Sequence, residues 1–316
     1  MRDRLRRWPF WVDFRRWQSQ GFEATYRRWR IYSKILKTPP VRTDRSPGDT
    51  ELHLLCYRND YLGALWTLKT FYRCARVSIP LVVHIQGEAT QLMVRRLHHH
   101  FPDARLIPQA EADAIVIPRL QERGLTRLLA ARAANHYTLK LTDFVLLGDA
   151  PNLLTLDSDI LFFERPQAFL APTEGHLFQR DPESTYVLDA ATARSKLGIE
   201  LAPRINVGMM RFRRDSISLA RCDGYLAAFS KLDGWLEQTL YALHASERGD
   251  AEYLPNEYLI SLARGMDHSL LVARHYAGPS RNLLHEEGIP FLLRKRPEIF
   301  RETSGSQGGV PYGLRS

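Results

Sequence analysis

Apolar residues in the first half of the chain form short continuous runs that alternate with groups at helical spacing. The runs predict buried strands at residues 52–57, 81–85 and 104–107. The helically spaced groups predict helices at residues 62–74 and 89–101. Strands that alternate with helices in this way favour a parallel, Rossmann-like sheet with helices on its faces, so we predict an α/β fold.

The middle of the chain carries a long helical region and then the apolar stretch NLLTLDSDILFFER at residues 152–165. We predict a helical region over residues 125–147 and one strand, buried on both faces, through the apolar stretch. Further strands are predicted at residues 176–178, 186–188, 204–212, 252–254 and 270–276, and further helices at residues 218–232 and 235–244. The fold expected from these elements is a mixed, mostly parallel central sheet flanked by helices.

Three residues, Asp157, Ser158 and Asp159, interrupt the apolar stretch with two carboxylates. Carboxylates in a buried strand are costly unless a cation or hydrogen bonds accept them. Residues two apart in an extended chain point to the same side, so both carboxylates can bind one ion. Oxygen ligands suit Mg²⁺ or Mn²⁺, which would also hold the phosphates of a substrate. The alternative is a pair of solvated carboxylates in a turn that simply ends the strand.

The predicted sheet also indicates where a ligand would lie, because α/β sheets bind ligands beyond the carboxyl ends of their strands. This edge would bring together residues 57–59, 86–87 and 157–159. The segment after the first strand, CYRNDYLGA, has neither a G-x-G-x-x-G nor a P-loop pattern. A dinucleotide-dependent dehydrogenase and a P-loop ATPase are therefore disfavoured.

The bulk composition changes this picture little. The 316 residues are 44% hydrophobic and 25% charged, as in an ordinary globular protein. No apolar run is long enough to span a membrane, and no apolar stretch follows the basic N-terminus as it would in a secretory signal. Cys56, Cys74 and Cys222 are far apart and odd in number, which favours reduced thiols and a cytoplasmic protein.

Positive charge is concentrated in residues 1–40. This segment contains eleven Arg and Lys and three acidic residues, so its net charge is +8. It also contains four of the six tryptophans. Basic residues interleaved with aromatic ones suit the surface of an anionic membrane, at the inner face if the protein is cytoplasmic. They would also suit nucleic acid, but the remaining chain is nearly neutral and offers no second basic face. A pair of amphipathic helices packed back on the domain is the alternative. We predict an N-terminal segment and linker at residues 1–50, one domain at residues 51–300 and a disordered tail at residues 301–316.

Several chemistry-bearing motifs follow one another after the predicted Rossmann-like half. In order, they are Asp157-x-Asp159, Asn206-x-Gly208, Glu237–Gln238 and His275-x-x-Gly278. This order resembles the metal-dependent glycosyltransferases of the GT-A fold, most closely glycosyltransferase family 8, the type of glycogenin and bacterial galactosyltransferases. The resemblance covers roughly residues 51–290 and implies a Rossmann-like GT-A fold.

The resemblance implies a metal site and a donor site. Asp157, Asp159 and His275 would bind Mn²⁺ (or Mg²⁺), which would hold the diphosphate of a nucleotide sugar. The donor-binding residues would be Tyr57, Arg58, Lys140, Asp157, Ser158, Gly208, Gly278 and Arg281. The catalytic residues would be Gln238, Glu237 and Asn206.

Three features depart from the family pattern or have a simpler interpretation. Arg281 stands where the family has Lys, and would contact the diphosphate with a fork of donors rather than a point charge. The Pro-Trp that often follows the motif is replaced by Asn282 and Leu283. Lys140 and Asp143 lie three apart on one face of the predicted helix and could pair with each other.

The expected activity is the transfer of a sugar from a nucleotide diphosphosugar, with UDP as the favoured nucleotide, to a glycan, lipid or protein acceptor. The resemblance favours retention of anomeric configuration, with Gln238 positioning or stabilising the sugar. An inverting enzyme would use Glu237 as its general base. Three alternatives stay open: a haloacid-dehalogenase-type phosphatase, a sugar nucleotidylyltransferase, and a non-catalytic adaptor that binds membranes or nucleic acid through residues 1–40.

Overall fold

The computed structural model of the protein describes residues 21–46, 48–232 and 234–301. The predictions for the first twenty residues of the basic N-terminal segment lie outside the described residues. The same holds for residues 302–316 of the predicted disordered tail, residues 301–316. The strands, helices and contacts of the fold are those of these described residues.

Seven strands form the central sheet, and four of them make its parallel half. The strands are β1 (Thr50–Tyr57), β2 (Leu81–Gln86), β3 (Arg105–Pro108), β4 (Asn152–Leu156), β6 (His176–Arg180), β7 (Ile205–Arg213) and β8 (Ala251–Tyr253). Their order is β3-β2-β1-β4-β7-β6-β8, and β3, β2, β1 and β4 run parallel in the Rossmann order. Strand β7 is antiparallel to both β4 and β6, while β8 is parallel to β6. The predicted fold class, a mixed and mostly parallel sheet flanked by helices, is confirmed.

A second sheet of three strands covers one end of the central sheet. It contains β5 (Ile160–Phe162), β9 (Tyr258–Ile260) and β10 (Ala273–His275), in the order β5-β10-β9. Strand β10 is antiparallel to β5, so His275 lies opposite Ile160. The prediction of one continuous strand through residues 152–163 is therefore wrong. The chain turns between Leu156 and Ile160 and changes sheets, which moves the two carboxylates out of the sheet interior to its edge.

Helices pack on both faces of the central sheet. They are α1 (Phe22–Tyr32), α2 (Tyr61–Ala75), α3 (Gln91–His100), α4 (Gln109–Glu122), α5 (Thr126–Ala134), α6 (Thr138–Leu147), α7 (Gln167–Leu170), α8 (Ala190–Leu197), α9 (Leu219–Tyr225), α10 (Leu236–Arg248) and α11 (Ile289–Lys295). None of these described helices has the length and apolar character that crossing a bilayer requires.

Two local predictions fail for reasons that lie in tertiary contacts. The helical region predicted over residues 125–147 is two helices, because Asn135 adopts an extended conformation between α5 and α6. Residues 186–188 form no strand, and the Val187 amide donates to Thr239 Oγ1 rather than to a neighbouring strand. Helix α4 was not predicted from the sequence.

The described part of the N-terminal segment packs on the domain. Tyr32 and Ile35 are buried in the same apolar cluster as the parallel strands. Trp66 Nε1 donates to the Tyr32 carbonyl at 2.9 Å, and Lys69 Nζ donates to Thr38 Oγ1 at 2.6 Å. The packed-back helix that we considered as the alternative thus holds for α1, while the division of the chain at residues 50 and 300 stays a prediction.

Candidate active site

A cleft of about 670 Å³ lies at the carboxyl ends of the central parallel strands. The cleft is lined by every site residue that we predicted from the sequence except Arg58. The Arg58 guanidinium lies 3.7 Å from the Glu88 carboxylate instead. Its lining residues are Leu55, Tyr57, Asp60, Gln86, His136, Tyr137, Lys140, Asp157, Ser158, Asp159, Asn206, Val207, Gly208, Gly234, Trp235, Glu237, Gln238, His275, Ala277, Gly278 and Arg281. The sheet edge that was expected to bind a ligand is therefore a real concave site.

The turn that carries Asp157 and Asp159 is held from two sides. The Asp157 amide donates to the Gly208 carbonyl of β7 at 2.7 Å. On the other side, α2 approaches so closely that a Cβ on Gly63 would lie 2.6 Å from the Ser158 carbonyl oxygen. Only glycine allows this approach, because real Cβ atoms essentially never come within 3 Å of such an atom. The two carboxylates are thus presented from a rigid turn.

Gly208 gives His275 its place in the cleft. A Cβ at Gly208 would lie 2.1 Å from His275 Cε1 and 2.6 Å from its Nδ1. A glycine inside a strand often marks a close approach by another group, and at Gly208 that group is the His275 imidazole. The second sheet brings the imidazole there, because β10 pairs with β5 directly after the Asp157–Asp159 turn.

Asp157, Asp159 and His275 form a group that could hold a metal ion. His275 Nε2 lies 3.1 Å from Asp159 Oδ1 and 3.7 Å from Asp157 Oδ2. One ligand atom of each of the three residues lies within 4.8 Å of the other two, which is close enough for a single ion to contact all three. Asp159 Oδ1 is buried, and His275 Nε2 lies beside it at 3.1 Å. The set of two carboxylates and one imidazole suits Mn²⁺ or Mg²⁺.

Two basic side chains face the same carboxylates. Lys140 Nζ lies 2.6 Å from Asp157 Oδ1 and 3.0 Å from Glu237 Oε1. Arg281 Nε donates to Asp159 Oδ2 at 2.8 Å. The carboxylates are thus shared between the candidate metal position on one side and fixed cations on the other.

The possible pairing of Lys140 with Asp143 is wrong. Asp143 instead binds the buried Arg132 of α5, with Arg132 Nη2 3.0 Å from Asp143 Oδ1. Lys140 points into the cleft, where two carboxylates compete for it, while Asp143 points to the neighbouring helix. Spacing along one helix could not show this, because both partners come from other elements.

The cations of the cleft remain charged at neutral pH. Burial by itself would lower the pKa of Lys140, but Asp157 and Glu237 raise the pKa above its usual range. Asp159 raises the pKa of Arg281 above its usual value, although burial acts in the opposite direction. Burial would raise the pKa of Asp159, but Arg281 and His275 together hold the pKa well below its usual value. Lys140 and Arg281 therefore provide permanent positive charge beside an ionised carboxylate.

Glu237 and Gln238 occupy the first turn of α10 and are both buried. Gln238 Nε2 donates to the Thr185 carbonyl at 2.9 Å and to Thr185 Oγ1 at 2.8 Å. Both amide hydrogens are used, so the carboxamide offers only its oxygen to a ligand. Burial raises the pKa of Glu237, although Lys140 opposes this shift.

Asn206 is engaged on both sides of its carboxamide. Its Oδ1 accepts from the Gly208 amide at 2.9 Å, and its Nδ2 donates to Asp181 Oδ2 at 3.1 Å. The side chain therefore supports the backbone of β7 beside His275. It lines the cleft, as predicted, with its hydrogen-bonding groups already partnered by the protein.

Sequence reasoning missed several residues of the cleft, chiefly Asp60, Tyr137 and Trp235. Asp60 approaches Arg281, with Oδ2 3.4 Å from Nη1. Tyr137 and Trp235 lie immediately before α6 and α10, the helices that carry Lys140 and Glu237. Tyr137 and Trp235 could have been considered as candidate cleft residues from their closeness in sequence to Lys140 and Glu237.

Comparisons with known proteins give structural likenesses only. No protein-family model matches the chain, and no curated protein matches it significantly. Among solved structures, it is similar to the galactosyltransferase LgtC in complex with donor and acceptor sugar analogues (13% identity, TM-score 0.45, covering 72% of this chain and 87% of that one). It is also similar to the bifunctional glycosyltransferase WbbM, with 11% identity and a TM-score of 0.46 over 80% of this chain and 53% of that one. A third similar structure is mouse xyloside xylosyltransferase 1, with 12% identity and a TM-score of 0.44 over 72% of this chain and 98% of that one. All three of these proteins are named as glycosyltransferases, and at these values the likeness assigns no role and no substrate to this chain.

Proposed function

We propose that this protein is a metal-dependent glycosyltransferase that moves a sugar from a nucleotide diphosphosugar, specifically a UDP-sugar, to an acceptor. The observation that carries the proposal is the ligand group of Asp157, Asp159 and His275, which lies in one cleft with Lys140 and Arg281. A divalent ion beside two permanent cations suits a substrate with a diphosphate. Tyr57 lines the cleft at the carboxyl end of β1, which supports our assignment of this residue to the nucleobase.

Asp157, Asp159 and His275 would hold Mn²⁺ or Mg²⁺. When bound, the divalent ion acts as a Lewis acid that neutralises the charge of the departing diphosphate. Lys140 and Arg281 supply the same kind of stabilisation from the protein, since both are held in place by carboxylates before the substrate arrives. The guanidinium of Arg281 can offer two parallel donors to phosphate oxygens.

Retention of anomeric configuration is the stereochemistry that we propose. Gln238 offers a carboxamide oxygen, which stabilises positive charge at the anomeric carbon as the diphosphate leaves. Glu237 is bound to Lys140 at 3.0 Å, so it is a poor candidate for the base that an inverting reaction needs. The stereochemistry of the product, read by NMR, decides between the two reactions.

Binding of the donor is expected to raise the melting temperature only when the metal is present. A ligand at about one hundred times its Kd adds roughly 2.7 kcal/mol of stability, which corresponds to a few degrees. The measurement is a thermal-shift screen of UDP-, GDP- and ADP-sugars with Mn²⁺, with Mg²⁺ and with EDTA. A shift that appears with a UDP-sugar and disappears with EDTA supports the proposal. A folded protein that shows no shift with any nucleotide sugar contradicts it.

We propose in addition that the protein contacts anionic membranes peripherally through its N-terminal segment. Residues 1–40 carry the net charge of +8, and α1 exposes Phe22 and Tyr26, whose rings stack with centroids 6.2 Å apart. The opposite side of this region is fixed to the domain by the buried Tyr32. Basic and aromatic side chains on an anchored helix suit the headgroup region of an anionic bilayer. A cytoplasmic location remains a prediction.

The full chain is expected to co-sediment with phosphatidylserine-containing vesicles at low salt and not with phosphatidylcholine vesicles. Reversing the charge of Arg2, Arg4, Arg6 and Arg7 should remove most of this binding. The matched control reverses the charge of four residues that are exposed elsewhere on the domain: Arg95, Arg123, Lys196 and Arg301. This control variant should keep more vesicle binding than the N-terminal variant does. Equal losses in both variants would show that binding follows total charge rather than this segment. Deletion of residues 1–40 is unsuitable, because it removes the buried Tyr32 and Ile35.

A further inference from the structure

Three of the exposed large apolar side chains line the cleft. Trp235 is 57% exposed, Tyr137 is 44% exposed and Tyr57 is 39% exposed. A single exposed aromatic residue needs no explanation, but several around one cleft mark a binding surface. Tyr57 ends β1, whereas Tyr137 and Trp235 immediately precede α6 and α10 on the other side of Asp157.

Tyr137 and Trp235, which we call the aromatic pair, are held by one buried carboxamide. Asn135 Oδ1 accepts from the Tyr137 amide at 3.0 Å, and Asn135 Nδ2 donates to the Gly234 carbonyl at 3.2 Å. The Trp235 carbonyl in turn accepts from both Thr239 N at 2.9 Å and Thr239 Oγ1 at 2.8 Å. The backbone of the pair is thus fixed by partly buried hydrogen bonds, while both rings remain open to solvent.

The position of the pair follows from the strand order. In the central sheet β4, which leads into Asp157, lies between β1 and β7. Helix α10, which begins directly after Trp235, packs against β7. A donor whose base lies at Tyr57 and whose diphosphate lies at the Asp157–Asp159 turn therefore directs its sugar towards the side of the cleft that carries Glu237, Gln238 and the aromatic pair.

We propose that the aromatic pair is the acceptor subsite and that it binds the apolar face of a pyranose ring. A pyranose presents C–H groups on its face and hydroxyl groups at its rim. Tyr and Trp side chains are complementary to it, because the face of the ring is apolar and a polar group at its edge is hydrated. Large aromatic side chains with a fixed backbone bind at a low cost in conformational entropy. The acceptor class is accordingly a glycan or glycoside rather than the hydroxyl of an unglycosylated protein or lipid. This inference rests on the proposed function, because it places the acceptor relative to the donor.

Methyl β-D-glucopyranoside, methyl β-D-galactopyranoside and methyl α-D-mannopyranoside serve as probes. Saturation-transfer NMR is recorded on the full chain, with and without UDP and Mn²⁺. We expect saturation of the ring C–H protons of at least one glycoside, with an affinity about tenfold weaker in Trp235→Ala and partly restored in Trp235→Phe. Tyr137→Ala should weaken the same signal. Leu270→Ala, which removes an exposed apolar residue outside the cleft, is the matched control and should behave as the wild type.

Two results overturn the inference: no saturation of any glycoside by the wild type, or affinities in Trp235→Ala and Tyr137→Ala equal to that of the wild type. Stabilisation by UDP and Mn²⁺ is read separately by thermal shift in each variant. A wild type that binds the nucleotide but no glycoside removes the acceptor subsite and leaves the proposed function standing. A wild type that no nucleotide sugar stabilises removes the proposed function instead, whatever the glycosides do.

Discussion

Replacement of Asp159 by Asn is expected to reduce the rate of sugar transfer by at least about a hundredfold, because it removes one charged ligand from the candidate metal group. Asn has nearly the same size as Asp, so packing around the buried side chain is kept. The change also deprives Arg281 of the carboxylate that holds it at 2.8 Å. The measurements are the turnover rate and the Mn²⁺ concentration that gives half of the full thermal shift with the donor.

Two further variants show whether any loss comes from the ligand group. Gly208→Ala leaves every charge in place but puts a Cβ 2.1 Å from His275 Cε1, so it should also weaken Mn²⁺ binding. Asp215→Asn removes an exposed carboxylate that pairs with Arg213 at 2.8 Å, and it should have the activity of the wild type. Undiminished Mn²⁺-dependent donor binding in Asp159→Asn would exclude Asp159 as a ligand.

Replacement of Lys140 by Met is expected to lower the free energy of unfolding by about 3–5 kcal/mol, the cost typical of removing one partner of a buried ion pair. Lys140 Nζ lies between Asp157 and the buried Glu237, at 2.6 Å and 3.0 Å. Without the ammonium group, two carboxylates face each other in a cleft that offers little water to Glu237. Urea unfolding at neutral pH in the presence of EDTA gives the measurement.

The loss in Lys140→Met should be electrostatic rather than a loss of packing. Adding Glu237→Gln to Lys140→Met removes one of the two stranded carboxylates, so the double variant is expected to regain much of the stability. Lys196→Met, at an exposed position of α8, is the matched control and should change stability by less than about 0.5 kcal/mol. A double variant no more stable than Lys140→Met alone would show that the ammonium group acts through its packing.

The N-terminal segment and the candidate active site share one scaffold. Tyr32, at the end of α1, lies beside Gly63, with Cε1 3.7 Å from the position of a Cβ at that glycine. Gly63 in turn contacts the backbone of Ser158 in the turn that carries the two carboxylates. If α1 rests on a membrane as we propose, the cleft is held at a defined place relative to the bilayer.

The sequence by itself determined the parallel half of the fold and the acidic centre of the site. Strands β1, β2 and β3 were predicted because a strand buried on both faces needs a continuous run of apolar residues, which is a local property. Asp157 and Asp159 were predicted as a metal-binding pair for a related reason, since two carboxylates within such a run need a partner. The resemblance to a family added His275 and Gln238, which no local pattern singles out.

Only the tertiary structure decided how these residues meet. The turn after Leu156, the placing of His275 over Gly208 and the pairing of Lys140 with Glu237 all join elements that are distant in the chain. The break at Asn135 likewise depends on a hydrogen bond to Gly234, 99 residues away. Hydrophobic periodicity reports which side of an element is buried, but the partner of a buried charge or amide is chosen by the geometry of the assembled elements. That is why helical spacing left open a pairing of Asp143 with Lys140 that the structure does not contain, and why the aromatic pair could not be predicted.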